Sequence, residues 1–315
     1  MTTLQEINAL IDWFPFLLVA VGAVFGAMIG SFLNVVIYRL PKADEWDLEQ
    51  AKAAVIAEHK GEEFPDPGAN PYQVSGGRSY CPHCNHAIRW YENIPVLSWI
   101  GLRGKCSQCK GAISFQYPAV ELATAALFAA AFSQFPSGIT PVWALSLGLV
   151  LTALACGVAN AGIDFKTLTL STALTQIILW TGFAHSTIQS PAHIWTVTPQ
   201  ASVLGAATAW AILAGTRWLW LKLRGIDAMG GGDIILLAAI GAWLGVAGVV
   251  ATLGLACLTG IAHGVFQRIR HGVVHRGDGT PAGAFPFGPH LILGWMVLLL
   301  FPGILQSVGA FLTGA

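Results

Sequence analysis

The chain has 315 residues, of which 55% are hydrophobic and only 10% charged, and its mean hydropathy is +0.63. An ordinary soluble domain carries about 25% charged residues, so the composition excludes that class and points to an all-α polytopic membrane protein. The formal net charge is zero, and no basic face interleaved with aromatics points to nucleic acid.

Apolar windows of roughly 17 to 25 residues mark candidate spans. The sequence predicts about eight transmembrane helices, near residues 14–38, 118–135, 141–163, 167–185, 197–221, 232–245, 247–267 and 286–308. The sixth is short, and its boundary with the seventh is ill-defined. Lys and Arg set the orientation, because they collect in cytoplasmic loops. Residues 1–13 hold Glu6 and Asp12 but no base, whereas Arg39 to Lys110 hold nine of the sixteen. With the N-terminus outside, eight spans place these bases inside. The same holds for Lys166, Arg217, Lys222, Arg224, Arg268, Arg270 and Arg276. The first span has no basic region before it and reads as a retained anchor, not a cleavable signal.

Three segments follow from this pattern: an N-terminal tail with the first helix (1–41), a cytoplasmic loop (42–117) and a seven-helix membrane core (118–315). The loop opens with ADEWDLEQAKAAVIAEHKGEE, read as an amphipathic or solvated helix, and continues through the Pro/Gly-rich FPDPGANPYQVSGG. It then carries two Cys-x-x-Cys units, Cys81 with Cys84 and Cys106 with Cys109, separated by 21 residues. Each short turn directs two thiolates at one point, so the pair of units predicts a tetrahedral structural zinc. A disulfide is the alternative, disfavoured in a reducing cytosol, and a redox Cys-x-x-Cys is the third reading. Cys156 and Cys257 lie in apolar helices as small hydrophobes.

In the core, Gly230 to Asp233 sets a carboxylate at the start of the apolar run IILLAAIGAWLG. An acid beside a membrane is costly and marks function. Asp164, in NAGIDFKTLTL, sits at a comparable hinge 69 residues earlier. Two carboxylates meeting at one membrane face can share a proton and activate water, the chemistry of an aspartyl protease. Gly230 and Gly232 suit close approach of a substrate backbone or unusual backbone angles. A helix N-terminus favours an ionised Asp233, and a helix C-terminus a protonated Asp164. The alternatives are an N-cap for Asp233 and an interfacial residue beside Lys166 for Asp164. Asp227 and Asp278 read as solvated loop acids, Glu121 either pairs with a base or lines the site, and His263 and His290 read as ordinary helix or loop residues.

Four stretches carry a resemblance: GAMIGSFLNVVIYRLP at 26–41, RSYCPHCNHAIRWYENIPVLSWIGLRGKCSQCKGAISFQYPAVE at 78–121, GGGDIILLAAIGAWLG at 230–245 and FPFGPHLILGW at 285–295. In this order they resemble the type IV prepilin leader peptidases, Gly-x-Gly-Asp membrane aspartyl proteases with eight helices. The resemblance implies a multi-pass protein of the bacterial inner membrane, with a periplasmic N-terminus and a cytoplasmic zinc loop. Its substrates would be type IV prepilins or type II secretion pseudopilins, whose basic leader is cut after a glycine at the cytoplasmic face. It further implies S-adenosylmethionine-dependent N-methylation of the new N-terminus. By position the catalytic pair falls on Asp164 and Asp233 and the zinc ligands on Cys81, Cys84, Cys106 and Cys109.

The chain departs from the family pattern around both acids. Lys166, Ser171 and Thr172 stand where the family usually has an acid and a Pro-Asp, and Ile235 stands where it has a Lys. Lys166 is therefore read as a supporting cation that replaces the base missing at 235. Two other readings remain open: a catalytically weakened or silent scaffold for pilus or secretion assembly, and an ion-coupled transporter. The second is disfavoured because neither Asp lies mid-span.

Overall fold

The computed structural model describes residues 6, 14, 16–64, 66–134, 140–188, 197–225, 227, 229–271 and 285–304. Arg276 and Asp278 lie outside the described residues, as do Asp12 and the end of the last predicted span. The described residues are helical apart from connecting loops and two isolated antiparallel bridges. Among the described residues, three helices are long and apolar enough to cross a membrane: Phe16–Lys60, Pro141–Thr167 and Gly231–Arg270. The apolar helix Gly288–Leu300 is shorter.

The chain divides into two compact units, one of Val24–Ala125 and one of Met1–Ala23 with Ala126–Ala315. The longest element of the first unit is α1, Phe16–Lys60, a single helix of 45 residues whose first turns belong to the other unit. The span predicted at 14–38 and the helix predicted at the head of the loop are one element, which runs through Pro41. Proline removes one helical hydrogen bond, but Ala, Glu, Leu and Lys dominate the following stretch and are strong helix formers. In this unit α1 lies directly on α3, Gln116–Ser133. A side chain at Gly30 would come within 2.7 Å of the Glu121 Cα, and the Asn34 amide donates to the Tyr117 carbonyl at 3.1 Å.

The second unit holds α4 (Pro141–Thr167), α5 (Thr172–Thr187), α6 (Pro199–Arg224), α7 (Gly231–His271) and α8 (Gly288–Leu300). Thr140 and Thr198 cap α4 and α6 by accepting from the Trp143 and Ala201 amides, each with Pro in the first turn. That arrangement satisfies orphan N–H groups at a helix start. The two predicted windows 232–245 and 247–267 form one element, interrupted at Gly245 (φ 66°, ψ −173°). Only glycine adopts such a backbone without strain. Where α6 crosses α7 there is no room for a side chain: a Cβ on Gly205 would meet the Gly241 carbonyl at 2.3 Å. Small residues let helix backbones touch in this way. Trp295, Ile163, Ile178, Leu237, Ile240 and Leu291 fill the interior, while Trp180, Leu204, Leu258 and Ile261 are exposed. Cys156 is buried as expected, but Cys257 is exposed.

Candidate active site

The cysteine module is built from two matching turns. In each, the first cysteine's N–H donates across the turn, Cys81 to the His86 carbonyl at 2.9 Å and Cys106 to that of Gly111 at 2.8 Å. Asn85 (φ 53°) and Lys110 (φ 58°) take the same left-handed backbone one residue after the second cysteine of each turn. The four sulfur atoms lie within 4.8 Å of one another, with Cys81 Sγ 3.9 Å from Cys109 Sγ. Zn–S bonds of about 2.3 Å in a tetrahedron put sulfurs about 3.8 Å apart, so the donor set fits zinc. The six cysteines are all free. Backbone N–H groups of Cys109 and Gln108 pull the Cys106 thiol down to about 6, which prepares it as a thiolate ligand.

The linker between the turns is more than a spacer. Trp90–Asn93 forms a 3-10 turn and α2 spans Leu97–Gly101. Glu92 is held down to about 2 by hydrogen bonds from the Ser107 side chain, the Arg89 N–H and the His86 ring. It thereby joins the first turn to the second. Glu121 is buried and accepts the Val96 N–H at 2.7 Å. It therefore anchors this linker, where Val96 has a positive φ of 62° that costs a β-branched residue energy. A cavity of about 690 Å³ opens beside Glu92, Tyr91, Leu97, Leu102 and Ser107.

The carboxylates lie near one another at helix ends, with Leu170 packed against both Gly232 and Gly288. Asp164 is buried in the last turn of α4, and Asp233, half-buried, is in the first turn of α7. Asp164 is close enough to act on Asp233 electrostatically. Between them the chain reverses after α4, where Leu168 takes a left-handed cap (φ 57°) and its N–H returns to the Asp164 carbonyl. The buried Asn160 fixes this reversal by accepting the Ser171 N–H at 2.9 Å and donating to Thr175 at 3.1 Å. Ser171, which breaks the family pattern, thus starts α5 against α4. The reversal delivers Leu170, whose Cβ lies 3.1 Å from where a side chain on Gly232 would begin.

The glycines before Asp233 act through space. None of Gly230 to Gly232 has a positive φ, so no unusual backbone angle is realised. A Cβ on Gly230 would sit 3.4 Å from Asp233 Oδ2. Gly288, at the start of α8, donates its N–H to the Asp164 carboxylate, and a Cβ there would be 2.7 Å from Asp164 Oδ2. Sequence reasoning missed this contact. The signal was FPFGP, a Gly-Pro at a helix start, whose spatial partner no local pattern names. It changes the dipole argument, because each acid now faces a helix N-terminus. A proton held there belongs to the pair and not to one member.

Other charges fall nearby. Lys166 is exposed two residues after Asp164, and Ile235 is half-buried two residues after Asp233. Asp227, expected as a solvated acid, takes both nitrogens of a fork from Arg217 at 2.7 and 2.5 Å.

Comparisons with known proteins identify the family. Residues 24–135 match the bacterial peptidase A24 N-terminal domain, and residues 147–265 match the type IV leader peptidase family. Three similar relatives share the description prepilin leader peptidase/N-methyltransferase. That of Burkholderia pseudomallei is 37% identical, over 90% of this chain and 85% of the relative. That of Aeromonas hydrophila is 37% identical over 95% of both. That of Xanthomonas campestris is 35% identical, over 96% of this chain and 99% of the relative. No solved structure matches. The chain belongs to the type IV leader peptidase family and is a peptidase.

Proposed function

We propose that the protein is an aspartyl endopeptidase of the bacterial inner membrane that removes the basic leader of type IV prepilins or type II secretion pseudopilins at the cytoplasmic face. The observation that supports this reading is the convergence of Asp164 and Asp233 at helix ends, where Leu170 lies against both Gly232 and Gly288, and Gly288 lies against the Asp164 carboxylate. The substrate's apolar helix would lie in the bilayer and its leader in the cytosol. This brings the scissile bond to the level of the acids. With one proton shared, the ionised carboxylate takes a proton from water as it attacks the carbonyl. The protonated partner supports the developing oxyanion and then protonates the leaving amine.

Zinc held by Cys81, Cys84, Cys106 and Cys109 would have a structural role, because a four-thiolate shell leaves no position for water. The relatives' shared description supports a second step, N-methylation of the newly exposed amine. S-adenosylmethionine would supply an electrophilic methyl group for it. The cavity beside Glu92 has the volume of a small-molecule site.

Incubating the purified protein with a prepilin, with and without S-adenosylmethionine, tests both steps by intact mass. Cleavage removes the leader in either condition, and methylation adds about 14 Da only with the cofactor, the mass of the CH₂ gained when a methyl replaces a proton. An uncut prepilin would contradict the peptidase reading, and a cut but unmodified product would contradict the second step alone.

A further inference from the structure

Two histidines in the second unit are linked by a hydrogen bond that neither the carboxylate chemistry nor packing accounts for. His263 Nδ1 lies 3.0 Å from His290 Nε2. The Gln267 amide nitrogen reaches His263 Nε2 at 2.8 Å, and His290 Nδ1 reaches the Thr259 hydroxyl at 3.1 Å. One direction of donation satisfies every atom. The Gln267 N–H donates to His263, His263 Nδ1–H donates to His290, and His290 Nδ1–H donates to Thr259. The Thr259 hydroxyl then donates to the Leu255 carbonyl at 2.9 Å. In this arrangement each ring donates once and accepts once.

The location gives the chain its consequence. His290 is buried in the first turn of α8, two residues after Gly288. Two side-chain hydrogen bonds from α7 therefore end on the turn that supplies the N–H to Asp164. The His263 ring also packs against Phe165, the residue after Asp164, and Phe285, which leads into α8. Their ring centroids are 6.3 and 6.5 Å away. Beyond His290, α8 is held by apolar side chains such as Leu291, Ile292 and Trp295, all fully buried or nearly so. Apolar contact is non-directional and leaves a helix free to slide or turn by small amounts. Hydrogen bonds are directional and weaken steeply when misaligned.

Resting on the carboxylate reading above, we propose that His263 and His290 form a positioning pair. They lock the first turn of α8 so that the Gly288 N–H stays on Asp164. Neither residue touches substrate. The pair acts through Gly288, so its loss lowers the rate of the chemical step without changing prepilin binding.

Leu and Asn have nearly the same shape, and only Asn carries an amide N–H where His263 has Nδ1. In the full-length enzyme, His263→Leu lowers kcat about tenfold with KM for the prepilin unchanged, and His263→Asn recovers most of the rate. His290→Gln, which accepts at the Nε2 position, likewise outperforms His290→Leu. Combining His263→Leu with His290→Leu costs little more than either alone, because the two act as one unit. Equal rates for the Leu and Asn variants, or a loss confined to KM or to thermal stability, would overturn the proposal. Asp164→Asn assayed in parallel separates the two readings. Its cleavage at wild-type rate overturns the carboxylate reading and this one together. An inactive Asp164→Asn beside a fully active His263→Leu overturns the positioning pair alone.

Discussion

The cysteine module and the carboxylate site are assembled by opposite routes. The module brings its ligands together through two short turns of like geometry, each complete within eight residues, from Tyr80 to Ala87 and from Lys105 to Ala112. The carboxylate site draws on three helix ends, at Asp164, Asp233 and Gly288, separated by long apolar stretches. A local design is tolerant of what surrounds it and fails when one ligand is lost. A dispersed design tolerates no change in the packing that holds its parts in register.

The comparison breaks most sharply at a ligand. Cys106→Ser should abolish stoichiometric zinc, since metal binding and folding of such a module are coupled. Limited proteolysis should then cut within residues 78–117 while the helices of the second unit stay protected. Intact zinc content in that variant would exclude the four-thiolate site.

The dispersed site should fail to a change that leaves both acids in place. Gly288→Ala puts a methyl group 2.7 Å from Asp164 Oδ2, so α8 must shift and the N–H must leave the carboxylate. We expect kcat to fall about tenfold to a hundredfold, as misplacement by a fraction of an ångström does in preorganised sites. Ala at this position with undiminished kcat would show that Gly288 does not shape the site.

Glu92→Gln sharpens the account of the module, because Glu92 links its two turns through His86 and Ser107. The variant should keep its zinc but lose protease resistance in residues 78–117 at lower temperature than wild type. An unchanged temperature would reduce Glu92 to a surface residue. The smallest effect belongs to Lys166. If its cation supports the ionised acid in place of the base absent at 235, Lys166→Ala should slow cleavage about twofold to threefold, within the range of a solvent-screened charge. Adding Ile235→Lys should restore the rate. An unaffected Lys166→Ala would leave it a topological charge.

The same contrast explains what was legible in the sequence. The four cysteines were readable because two backbone turns fix both their spacing and their convergence. The place of Asp233 at a helix start was readable because the glycines before it and the apolar run after it mark the boundary. Helices lie over the apolar windows, although α1 runs on to Lys60 and only three described helices are long and apolar enough to span a membrane; the doubtful boundary between the sixth and seventh windows is the break at Gly245. The end of the first span at 38 was set too early, because a strong helix-forming stretch carries α1 on to Lys60. Glu121, left between two readings, anchors Val96 through a contact 25 residues away. Gly288, Leu170 and the His263–His290 pair were not readable as site residues, since nothing near them in sequence names a partner that only the packing of α4, α7 and α8 supplies.

The central claim is that Asp164 and Asp233 share one catalytic task, and the most direct test is single-turnover cleavage of a prepilin by Asp164→Asn, Asp233→Asn and the double variant. The account predicts that each single variant is folded, membrane-inserted and inactive, with a loss of about a thousandfold or more, and that the double variant is no worse than either single one. Cleavage near the wild-type rate by either single variant, at matched amounts of folded protein, would contradict it.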